Sequence, residues 1–194
     1  MRTKRPAPRL PLLDETAMSE KQRALLQSLR AGPRGAAITA RGPFAAWMHA
    51  PEFGELAQKL GAHCRYKTAL PARLSEFAIL CTARRWLAQY EWYAHASIAE
   101  KAGVKLKTIE DLRRGRLPKS APKDERAIYD FIQELYRKKR VSDRTYKRVS
   151  SLLGDSATVE LVGVLGYYSL ISMTLNVFHM QPPEEAPLPF PEPQ

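Results

Sequence analysis

Apolar residues recur along the chain at intervals of three and four, and no segment between turn signals alternates with period two, so the pattern predicts an all-α fold. The S-E-K-Q run at 19–22 has capping-box form and leads into the stripe Ala24, Leu25, Leu26 and Leu29, with Gly32 and Pro33 as a stop. Residues 31–42 form a small-residue loop without the spacing of a phosphate-binding loop. A short helical piece starts at Phe44, and Pro51 opens a helix through Phe53, Leu56 and Leu60 towards Tyr66. Pro71 opens the next, carried to about Ala88 by Leu74, Phe77, Ala78, Cys81 and Leu87. From about Gln89 another follows, with Trp92, Ala96, Ile98 and Ala99 on its apolar side and Gly103 just past its end. Residues 108–114 make a short helix that ends at Gly115, and 123–140 a strongly amphipathic one. Ser142 or Asp143 caps a helix that closes at Gly154, and Ser156 caps a long apolar final helix.

The ends read differently. Pro6, Pro8 and Pro11 with little periodicity make 1–18 an extended arm, and six prolines among the last fourteen residues make 181–194 an extended or polyproline-like tail. Residues 19–180 between them form a single helical domain. Residues 161–178 lack any charge, which touches the lower limit for a membrane span. Two Gly, two Ser, a Thr, an Asn and a Tyr pair interrupt that run, and no basic cluster flanks it, so it reads as a helix buried in the core or a subunit interface. The basic N-terminus has no apolar stretch of the length a secretory signal needs. Two cysteines, Cys64 and Cys81, fit neither a disulfide framework nor a metal knuckle, and a reducing cytoplasmic setting is the expectation.

Composition adds one asymmetry. The net charge is +11, and residues 105–148 carry fifteen Lys/Arg against seven Asp/Glu, a local excess of +8. Such an excess serves an acidic partner, a steered anion or simply a solvated face. Acidic residues interrupt it and no nucleic-acid-binding signature accompanies it, so nucleic acid is not the expected partner.

The chemistry concentrates in residues 76–95. Glu91 and His95 are four apart and share a helix face, with Glu91 in the first turn, where the helix dipole favours its anion. Glu76 adds a carboxylate from the preceding helix. Two carboxylates around one imidazole make a proton-relay set suited to enolisation or decarboxylation beside a carbonyl. Trp86 and Tyr90 offer a pocket wall and a polar handle, and Arg84 or Arg85 a fork for a substrate carboxylate. Three alternatives stand beside this reading. The Glu–His pair could be a structural hydrogen bond, Glu76 could pair with Arg73, Arg84 or Arg85, or the three residues could ligate a metal.

Residues 70–103 resemble the carboxymuconolactone decarboxylase and AhpD-like (alkylhydroperoxidase D-like) family. Its pattern is a Glu, eleven residues, Cys, two residues, Cys, three residues and His, and Glu76, Ala88, Glu91 and His95 stand at those places. The resemblance implies an AhpD-like domain of antiparallel helices, a small-molecule substrate, no cofactor, and trimers or hexamers of one chain. It also implies that the dithiol chemistry is gone, since neither Ala88 nor Glu91 can form a sulfenic acid or a disulfide. Peroxidase-related activity remains only as a family association. What carries over to His95 is the acid/base role of the family's thiol-free decarboxylases. A non-catalytic oligomeric member of the fold is the competing expectation.

Overall fold

A computed structural model describes residues 5–191. Eight α-helices follow a single 3-10 turn at Glu15–Ala17, and no strand occurs among the described residues. They are α1 (Glu20–Ala31), α2 (Pro43–Trp47), α3 (Pro51–Tyr66), α4 (Ala72–Trp86), α5 (Gln89–Lys101), α6 (Leu106–Arg113), α7 (Lys123–Lys138) and α8 (Asp143–Val177). The local signals act as the sequence predicts. Ser19 and Gln22 form a reciprocal capping box at α1, and Pro43 and Pro51 open α2 and α3, where a missing N–H costs nothing.

α4 is the central element. Every residue from Leu74 to Ala83 is buried, and the helix packs on α5, α6, α7 and α8. Phe77, Ile79 and Leu80 are fully buried, each contributing about 1.5–3 kcal/mol of apolar transfer. That burial matters for function, because Ser75, Glu76 and Thr82 lie on the same helix and need partners inside the protein. A smaller core of Met18, Leu25, Leu26, Leu29 and Met48 joins α1 to the rest.

The apolar C-terminal helix belongs to the core. Its most apolar stretch has a mean hydropathy of 1.4, and 56% of that stretch is buried within the protein. The expected break at Gly154 is present as a kink with φ 77° and ψ 171° inside α8. That kink divides α8 into two helical segments, and Ser156 stands two residues past it, in the first turn of the second.

Both proline-rich ends are docked on the helical domain. The Arg9 N–H donates to the Phe178 carbonyl at 3.1 Å, and Met18 is buried. Phe190 is buried too, its ring edge-on to Trp92 at 5.1 Å and beneath the Arg84 guanidinium at 5.2 Å. The Gln89 side chain holds the Phe190 backbone at both ends, donating to its carbonyl at 2.9 Å and accepting from its N–H at 3.1 Å. Polyproline backbone has no internal hydrogen bonds, so these side-chain partners satisfy it. Replacing Phe190 with Ala should cost about 3 kcal/mol in urea unfolding, the loss of a buried aromatic, whereas a free tail would show no change.

α3 and α8 meet at a glycine. A Cβ on Gly61 would lie 1.9 Å from the Tyr167 hydroxyl and 2.2 Å from its ring carbon Cζ. Gly61→Ala should therefore destabilise the fold by about 1–3 kcal/mol in denaturant titration, although alanine is the better helix former. A neutral or stabilising outcome would show that Tyr167 is free to move.

Candidate active site

α4 ends at Leu87, a non-glycine residue in the left-handed region (φ 51°), and Ala88 then serves as the N-cap of α5. The Ala88 N–H closes back on the Ala83 carbonyl at 2.9 Å, a Schellman-type end in which leucine takes the place glycine usually holds. This tight link sets α5 against α4, so that Glu76 of one helix faces His95 of the other.

The three residues converge inside the protein. His95 Nδ1 lies 2.7 Å from Glu76 Oε2 and His95 Nε2 lies 3.0 Å from Glu91 Oε1, with all three residues between 4 and 6% exposed. The Tyr168 ring meets the imidazole edge-on at 5.2 Å and closes its remaining side. Burial pushes the His95 pKa down, but the Glu91 charge and the hydrogen bonds to Glu76 and Glu91 together outweigh it and raise the pKa to about 9. His95 is thus an imidazolium at neutral pH, donating one N–H to each carboxylate.

This arrangement bears on two of the alternatives, the Glu76–arginine pair and the metal. Arg73 pairs with Asp124 and Glu125, which leaves Glu76 to His95. The two carboxylates grip opposite nitrogens of one ring, so the three residues do not point at a common ion, and no metal-binding group occurs among the described residues.

Glu91 and His95 open onto a cavity of about 310 Å3. Tyr90, expected as a polar handle, lines it, as do Tyr167 and Tyr168 of α8. Burial foremost raises the Tyr90 pKa, so its phenol stays a proton donor. The cavity also takes Ile38, Thr39 and Arg41 from the 31–42 loop and Arg65 from α3, residues that no local pattern singled out. Gly42 (φ 57°) places that loop: a Cβ there would lie 2.5 Å from the Tyr90 ring, so only glycine lets backbone and ring meet.

Trp86, Arg84 and Arg85 do not line this cavity. On a helix they stand about 80–180° around from Glu76 and about 12–15 Å along the axis. The Trp86 carbonyl accepts from Asn176 at 2.7 Å, Arg84 covers Phe190, and Arg85 lies over Tyr136 at 5.9 Å. The arginines that line the cavity are Arg41 and Arg65, where the sequence pointed to Arg84 or Arg85.

Neither cysteine supplies a thiolate. Cys64 and Cys81 are free and buried; burial, helped by the Glu160 charge, raises Cys64 to about 11, and burial raises Cys81 further. In the native protein both thiols should resist an aromatic disulfide reagent at pH 8 and react only on unfolding. Immediate release of one equivalent would contradict this burial.

The His95 linkage has a definite sign. Its folded pKa lies above the unfolded value, so its contribution is complete below about pH 6.5 and is lost as pH rises towards 9. The stability advantage of the native protein over His95→Gln should shrink by up to about 3 kcal/mol across that window, measured by urea titration at each pH. An advantage that grew with pH would mean the histidine is buried neutral.

No protein-family model matches the sequence, and no curated protein does. A solved structure does match: the alkylhydroperoxidase AhpD core of an uncharacterised peroxidase-related protein from Ralstonia eutropha, at a TM-score of 0.76 and 17% identity. The match covers 94% of this chain and 95% of the other, so nearly the whole of both chains takes part. The chain is an all-α protein with the AhpD core fold.

Proposed function

We propose that the protein is a cofactor-free acid–base catalyst acting on a small, anionic carbonyl compound, by decarboxylation or enolisation. The observation that carries this reading is His95 held between Glu76 and Glu91, with Glu91 and His95 at the wall of a cavity that also presents Arg41 and Arg65. Glu76 does not line the cavity, so its role is to orient the imidazolium through Nδ1. Arg41 or Arg65 would bind the substrate carboxylate, and a guanidinium suits that group. In a decarboxylation the C–C bond breaks and CO2 leaves, and the electron pair passes to the neighbouring carbonyl as an enolate. A proton from His95 Nε2 completes the product at carbon, and water returns a proton to the imidazole. In an enolisation Glu91 takes the proton from carbon and the imidazolium balances the charge. Buried thiols and the absence of a cysteine at 88 or 91 weigh against thiol peroxidase chemistry.

The test is hydrogen–deuterium exchange or CO2 release across a panel of carboxylated lactones and oxo acids, followed by NMR. Glu91→Gln and His95→Gln should each lower kcat by about 10²–10⁴-fold, and Arg41→Ala should chiefly raise KM. Activity should be level through neutrality and fall as pH rises through about 9, where His95 loses its proton. A rate that climbs with pH through the ordinary histidine range would point to a free imidazole base and sink this mechanism.

The same reading includes assembly of several copies. Leu56 and Val159, each 71% exposed, stand with Leu60 and Val162 on the outer faces of the packed pair α3 and α8. Exposed apolar residues grouped in this way favour burial against a partner. Light scattering after gel filtration should give a multiple of 22.0 kDa that falls to the single-chain mass in Leu56→Glu/Val159→Glu. A native protein already at the single-chain mass would refute it.

A further inference from the structure

A second cleft, of about 730 Å3, lies between the last turns of α7, the first turns of α8 and Arg85 of α4, and shares no lining residue with the His95 cavity. Its charge is unbalanced in a specific way. Lys138 pairs with Glu134 at 3.0 Å and Arg148 with Asp130 at 2.6 Å, which neutralises both carboxylates of the wall. Arg85, Arg137, Lys139 and Arg144 line the same cleft with no carboxylate partner among the described residues. Lys139 also holds a left-handed backbone (φ 60°) at the end of α7, a place that favours glycine. A smaller cavity of about 230 Å3 adjoins it through Arg85, Tyr129 and Gln133 and adds Arg84, whose buried Nε has no hydrogen-bond partner.

We propose that this cleft binds a small ligand carrying two or more linked phosphate groups. Four cations without carboxylate partners, facing one concavity, raise the local potential for an anion, and the guanidinium fork matches phosphate oxygens in pairs. The volume is that of a small-molecule pocket, and the ion-paired carboxylates interrupt the positive surface that a nucleic-acid backbone would need to track. Phenol and amide groups of Tyr129 and Gln133 supply neutral donors on the wall.

The test is titration calorimetry of the full chain with inorganic tripolyphosphate at moderate salt. Inorganic phosphate and a short DNA duplex serve as separate arms. Saturable one-site binding is expected, weakened about tenfold or more in Arg85→Gln/Arg137→Gln/Arg144→Gln, since each guanidinium removed takes its charge-assisted hydrogen bonds with it. All three side chains are exposed, so the variant should fold, which circular dichroism checks. Lys101→Gln/Lys119→Gln/Arg126→Gln removes the same charge outside the cleft and should bind as the native protein does. Equal weakening in both variants, no saturable binding of tripolyphosphate, or inorganic phosphate binding as tightly would overturn the proposal. Duplex binding that depends on the cleft and that tripolyphosphate does not displace would also overturn it, in favour of nucleic acid.

Discussion

An imidazole sealed between two carboxylates sets the terms for the rest of this molecule. A lone buried carboxylate would cost several kcal/mol in desolvation, and two such groups within reach of each other would repel. The proton on His95 resolves both problems, because one cation with two N–H donors satisfies Glu76 and Glu91 together. The arrangement requires α4 to be buried on nearly all sides, α5 to return at once across the Leu87–Ala88 link, and Tyr168 of α8 to close the ring's edge. The left-handed Leu87 is the local strain, of order 1–2 kcal/mol, that this geometry carries. Removing either carboxylate leaves one buried imidazolium N–H without its acceptor.

The same pairing separates this chain from a dithiol enzyme of similar fold. Where the sequence pattern of such enzymes has cysteines, this chain has a fully buried Ala88 and the carboxylate of Glu91. Without thiols at those places the dithiol reaction has no sulfur to run on, and the proposed function assigns the site proton transfer instead. The surviving cysteines do not compensate, since their surroundings raise their pKa values instead of lowering them.

The helices and the Glu91–His95 pairing were legible in the sequence because both rest on short-range rules. A capping box, prolines at first helical positions and an i,i+4 Glu–His pair each declare themselves within a few residues. The rest of the cavity depends on contacts between distant segments. Arg41 and Arg65 come from a loop and a helix that carry no motif, and their place in the cavity follows only from the folded chain, in which Gly42 lies against Tyr90. Arg84 and Arg85 were near in sequence, yet helical geometry turns them away from Glu76. Nor does proline content reveal that Phe190 is anchored by Gln89 and Trp92, because an anchor of that kind has no period.

The charge on His95 is the quantity on which the proposed mechanism and its pH dependence both rest. Nitrogen-15 NMR of imidazole-labelled protein, titrated from pH 5 to pH 10, measures it directly. The expected result is a ring protonated on both nitrogens at pH 7, with two slowly exchanging N–H signals and a transition near 9. A ring carrying a single proton at pH 7, with its transition at or below the ordinary value of about 6.5, would contradict the account.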